Sequence, residues 1–166
     1  MSAGRARAAN LSPPQGTPGD DALVLTRVFD ARPEVVFSLW SDPAHVKAWW
    51  QPAGYTTPVF TMDFRVGGAY RYCIAKDGQQ GWAHGEYRVI DPPHRIVMTF
   101  RWDSGDPAHD RETLITVTFV PEGEGGTLMT FRQAPFDTDA ERHSHGQGWG
   151  QVLDAFGRFL ASRSST

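Results

Sequence analysis

Side chains able to do acid–base or metal chemistry stand close together at three places in this 166-residue sequence. His84 and Glu86 are two apart in a strand-like run, so they project side by side from one face and could share a proton. The same alternation turns that face to solvent, where such a pair is an ordinary exposed couple. His143 and His145 are also two apart, but in a helical segment, where that spacing separates them by ~200°. They cannot hold one ion from a single face, and the zinc-peptidase arrangement needs i and i+4. Asp103, Asp106, His109 and Asp110 crowd one polar loop without the spacing of a calcium loop. None of the three reads as a metal site, and no cofactor is expected. Cys73 falls on an outward strand face with no histidine beside it, and Ser41 lacks a nucleophile elbow, so covalent catalysis finds little support. Gly67-Gly68 and Gly123 to Gly126 join strands rather than opening helices, so they are turns and not phosphate cradles.

Rings remain, and they are many: six Trp, ten Phe and four Tyr. Each buries ~150–250 Å², so together they either fill one core or line a cavity within it. The elements that position them follow from periodicity. A β-branched run over Leu23–Phe29 predicts a strand. Pro33 opens a short helix with an apolar stripe at Val36, Phe37, Leu39 and Trp40. Asp42 and Pro43 cap and start a second short helix that ends near Trp49-Trp50, a pair that could be a lid or a core cap. From Thr56 to Gln133 the period is two, broken by turns at Gly67-Gly68, Asp77-Gly78, Asp91-Pro92-Pro93, the loop from Asp103 to Arg111, and Pro121 to Gly126. Hairpin-length connections and one apolar face mean an antiparallel meander buried on one side.

The last segment is helical again. Thr138 and Glu141 form a capping box, and His145, Trp149, Val152, Leu153, Phe156 and Leu160 make one apolar face. Gly146, Gly148 and Gly150 sit inside that helix at ~1 kcal/mol each relative to Ala, which implies a close approach to sheet or ligand, or a bend. Residues 1–21 hold almost nothing large and apolar, so a flexible tail is expected there and one domain over residues 22–163.

The bulk properties exclude partners more than they select them. A net charge of −3 and a pI near 6.0 argue against nucleic acid and anionic membranes. No stretch approaches the ~18 apolar residues of a membrane span. Arg5 and Arg7 have no apolar run behind them, so no secretory signal is read, and a single cysteine permits no internal disulfide. A reducing cytoplasm is the simplest compartment.

Five segments carry a family likeness: TRVFDARPEVVFSLWSDP, VKAWWQP, DFRVGGAYRY, GEYRVIDPPHRIVMTF, and His145-x-x-Gly148-Trp149. In this order they resemble the START-like (SRPBCC) superfamily, within it the group related to the C-terminal domain of the activator of the heat-shock protein 90 ATPase. The resemblance covers residues 23 to 161. It implies an α+β helix-grip fold, with a curved antiparallel sheet of about six to seven strands around a long C-terminal helix and a cavity between them. In that superfamily such cavities bind lipids, hormones, polyketides or aromatic compounds; no shared catalytic set transfers to this chain.

With the arginines 71, 95, 101 and 132 outward, alternation places Phe60, Met62, Tyr70, Tyr72, Met98, Phe100, Trp102, Val117, Met129 and Phe131 on the concave face, and Gly85, Tyr87 and Val89 with them. Trp49, His145, Trp149 and Phe156 complete the expected pocket from the helices. Tyr70, Tyr72, Tyr87 and His145 would supply its polarity, and Gly85 would leave space in it. The expected function is binding of a small apolar or aromatic molecule. An enzyme of the polyketide cyclase/aromatase kind and a co-chaperone acting on a heat-shock ATPase are the rivals; the short N-terminal extension offers little to the second. A homodimer stays open.

Overall fold

A computed structural model describes residues 22–164; the expected N-terminal tail lies outside them. Strand β1 (Leu23–Phe29) leads into helices α1 (Pro33–Ser38) and α2 (Pro43–Trp49). Six strands follow: β2 (Thr56–Met62), β3 (Ala69–Lys76), β4 (Gln79–Asp91), β5 (Arg95–Trp102), β6 (Thr113–Glu122) and β7 (Gly126–Ala134). The chain ends on helix α3 (Asp139–Ser164). All pairings are antiparallel, in the order β1-β7-β6-β5-β4-β3-β2. The sheet curls into a half-barrel around α3, the helix-grip architecture.

Local chemistry sets the joints. Pro33 and Pro43 occupy first turns, and Asp42 accepts a hydrogen bond from the Ala44 amide at 2.9 Å. Asp77 and Gly78 both have positive φ, 52° and 79°, as a two-residue turn between β3 and β4 requires. Thr138 Oγ1 accepts from the Glu141 amide at 3.0 Å and caps α3.

Inner faces line up across the register. Ile96, Val117 and Phe131 are cross-strand partners on β5, β6 and β7, and all three are fully buried. One expectation fails on this face. The register shifts between Tyr87 and Val89, so the bulge returns Ile90 to the core side, paired with buried Ile96, and Val89 is not part of the core.

The glycines of α3 are explained by β1. Added Cβ atoms would stand 3.1 Å from Leu23 at Gly146, 3.7 Å from Arg27 at Gly150 and 3.3 Å from Phe29 at Gly157. The helix backbone therefore lies directly on β1, with Arg27 donating to the Gly150 carbonyl at 3.4 Å and pairing with Asp154 at 3.3 Å. Gly148 is different: a Cβ there would meet nothing within 4 Å. No helix among the described residues is long and apolar enough to cross a membrane.

Candidate functional site

The inside of the half-barrel is unevenly filled. Around the C-terminal half of α3, the side chains of α1 and α2 close the hollow. Trp49 is sealed from solvent, packs edge-on against Phe156 at 4.7 Å and donates its indole N–H to the Leu39 carbonyl at 3.1 Å. It is a core cap and not a lid.

Around the N-terminal half of α3 the hollow stays open. A cavity of about 560 Å³ lies between this half-helix, the β3–β4 end of the sheet, the chain from Trp50 to Tyr55 and the loop after β5. Trp50, Tyr72, Ile74, Trp102, Trp149 and Val152 form its apolar wall. Lys76, Gln80, Glu141, Ser144, Gln147 and Gln151 supply polarity around it. From α3 the lining residues Glu141, His145, Gly148 and Val152 follow helical spacing, so one stripe of the helix faces the space.

Of the residues expected in a pocket, Tyr72, Trp102, His145 and Trp149 line this cavity. Phe100 reaches only a small recess beside it, with Trp102, Phe136 and His145. Trp49, Phe60, Tyr70, Tyr87, Met98, Val117, Met129, Phe131 and Phe156 are buried in the packed core, and Met62 packs partly buried against it. Gly85 does not leave space. A Cβ there would stand 1.9 Å from the Thr99 carbonyl oxygen and 2.7 Å from the Tyr70 hydroxyl. Its missing side chain admits Tyr70, whose hydroxyl donates to the Thr99 carbonyl at 2.5 Å. Burial, and then the neighbouring Tyr72 and Tyr87, push the Tyr70 hydroxyl well above its ordinary range, so it is a neutral core group.

Trp50, expected with Trp49 only as a lid or a core cap, lines the cavity, and the polar groups were not legible as site residues. Gln133 is another: fully buried, it accepts from the Trp149 indole at 2.7 Å and donates to Thr113 at 2.9 Å, which fixes the Trp149 ring in the cavity wall. The loop after β5 is also built rather than merely solvated. Asp110 accepts from the Ser104 amide, the Ser104 hydroxyl and the Gly105 amide at 2.6–3.0 Å. Desolvation is the largest single effect and raises the carboxyl, but these bonds and the neighbouring His109 together outweigh it, so it sits below its usual value. The loop thereby lays His109 flat on Trp102, with rings 6.0 Å apart and 14° from parallel.

The remaining chemical candidates disperse. His84 Nδ1 lies 2.8 Å from Asp103 and Glu86 pairs with Arg88 at 2.8 Å, so they form no acid–base couple with each other. Cys73, expected on an outward face, is fully buried between its cross-strand partners Val59 and Trp82. Among the described residues no group of three or more His, Cys, Asp or Glu could hold a metal ion. In the cavity, burial holds the Tyr72 hydroxyl above its ordinary range, partly offset by a hydrogen bond from the Trp50 side chain. Burial, with the neighbouring His109, lowers His145 to about 4, so its imidazole is neutral at pH 7.

The model of the family described as "Activator of Hsp90 ATPase homolog 1-like protein" matches residues 30–161. The chain belongs to this family. Solved members of the same architecture superpose over most of their length. A Chromobacterium violaceum protein is 30% identical, with a TM-score of 0.75 over 84% of this chain and 96% of its own. The AHSA1 protein of Silicibacter pomeroyi is 26% identical, with a TM-score of 0.76 over 86% and 99%. An Arthrobacter aurescens protein, 22% identical over 86% and 87% with a TM-score of 0.73, shares the fold. No curated protein matches the chain.

Proposed function

We propose that this AHSA1-family chain is a cytoplasmic binding protein for a small, flat, apolar or aromatic molecule, held between the N-terminal half of α3 and the β3–β5 end of the sheet. The single observation behind this is a cavity of about 560 Å³ in a hollow whose other end is packed solid. That volume falls within the range of small-molecule sites, and an apolar wall with a few polar groups is their usual form. Three indoles, Trp50, Trp102 and Trp149, line it, Trp50 and Trp149 nearly buried and Trp102 partly so, and give the wall its aromatic character. Native mass spectrometry of protein purified from its own cells tests the reading. A retained aromatic mass that disappears from Gly148→Leu supports it; protein free of any adduct under gentle ionisation counts against it.

A cyclase-like enzyme is the second reading, favoured by one observation: Tyr72 and His145 line the same space. Turnover of a poly-β-ketone that is lost in both Tyr72→Phe and His145→Ala would establish it.

A further inference from the structure

His145 carries a second polar atom that the protein leaves unused. An indole N–H can only donate. Trp102 Nε1 lies 3.3 Å from His145 Nε2, so that nitrogen must present its lone pair. A neutral imidazole accepting at Nε2 carries its proton on Nδ1. Among the described residues no protein group is hydrogen-bonded to Nδ1. Nor is it sealed away, since the buried unpartnered side-chain atoms among the described residues are Trp40 Nε1 and His45 Nδ1. The ring itself is held by Phe136 at 4.9 Å and Phe100 at 5.9 Å. The charged and titratable groups around it are His109, stacked on Trp102, Glu141, one turn back on α3, and Arg111, which shares its recess and pairs with Asp137. Asp103 is occupied by His84 and Arg71.

We propose that His145 Nδ1–H is a fixed donor to an oxygen acceptor on the bound molecule, and that Trp102 is the positioning residue that sets its tautomer. The ligand is then a planar aromatic carbonyl compound rather than a bare hydrocarbon. The ligand class rests on the cavity reading above; the tautomer does not. Burial supports the assignment, because the neutral imidazole persists far below pH 7.

Long-range ¹H–¹⁵N spectra of the intact protein read the tautomer directly. The wild type is expected to show His145 protonated on Nδ1, and Trp102→Phe, which keeps an aromatic ring but removes the donor, to lose that preference. A wild-type signal protonated on Nε2 overturns the assignment. Fluorenone and fluorene, which share a shape and differ by one carbonyl, test the ligand class by titration. Fluorenone is expected to bind several-fold to about tenfold tighter, the net worth of one hydrogen bond, with the preference gone in His145→Phe. Equal affinities, or a preference that survives in His145→Phe, overturn the donor role. Binding of neither compound overturns the cavity reading and the ligand class together, while the tautomer result stands apart.

Discussion

At one end of the hollow Trp40, Trp49, Phe119 and Phe156 meet with ring centroids 4.7–6.3 Å apart; at the other, Trp50, Trp102 and Trp149 surround about 560 Å³. Both ends are rich in rings, so composition does not separate them. The difference lies in the opposing layer. At the closed end α1, α2 and the turn between them press Val36, Phe37, Trp40, Val46 and Trp49 into the sheet's concavity. At the open end the opposing layer is the first half of α3, which offers Gly148 and the polar Ser144, Gln147 and Gln151. A cavity arises where large side chains on one wall face small or hydrated ones on the other, since interiors otherwise close to crystal density.

The contrast is sharpest at Gly85, on the packed side. Gly85→Ala drives a methyl into the Thr99 carbonyl and the Tyr70 ring, and should cost more than about 4 kcal/mol in urea unfolding. A small loss would mean that the packed region has slack. Phe156→Ala should cost ~3–5 kcal/mol, whereas Trp102→Ala, partly buried at the cavity edge, should cost under about 2 kcal/mol. Equal losses would erase the distinction between the ends.

Acid probes the open end. The folded protein holds His145 at about 4 against 6.5 for the free side chain. Between those values the unfolded chain binds more protons, so stability falls as pH drops from 6.5 toward 4. With solvent reaching the ring, the loss should total about 1–2 kcal/mol, and His145→Gln should remove that part of the pH dependence. An unchanged profile in the variant would place the imidazole in bulk water. The smallest stability effect is expected at Gly148→Leu. It gains helix propensity and its Cβ meets nothing within 4 Å, so unfolding free energy should rise or hold within ~1 kcal/mol.

Strands and hairpins were legible because one buried face writes alternation directly into the chain, as at Met98, Phe100 and Trp102. The helix caps at Asp42 and Thr138 were equally plain. The site was legible only in part. Alternation places Tyr70 and Tyr72 on the same face, but only volumes decide that Tyr70 seats in the Gly85 gap while Tyr72 meets the cavity. A single bulge moved Val89 out of the core, and no local residue pattern announces it. Gln133 and Asp110 act through partners 16 and 6 residues away, a separation periodicity does not register. The helical stripe Glu141, His145, Gly148, Val152 was readable in principle, from the same spacing that revealed the apolar face of α3.

The central claim is that the open end is a binding site. A thermal-shift screen with planar aromatic compounds, run on wild type beside Gly148→Leu, meets it most directly. A ligand at a hundred times its dissociation constant should stabilise the wild type by ~2.7 kcal/mol and leave Gly148→Leu unmoved. Equal shifts in both proteins, or no shift in either across the panel, would contradict it.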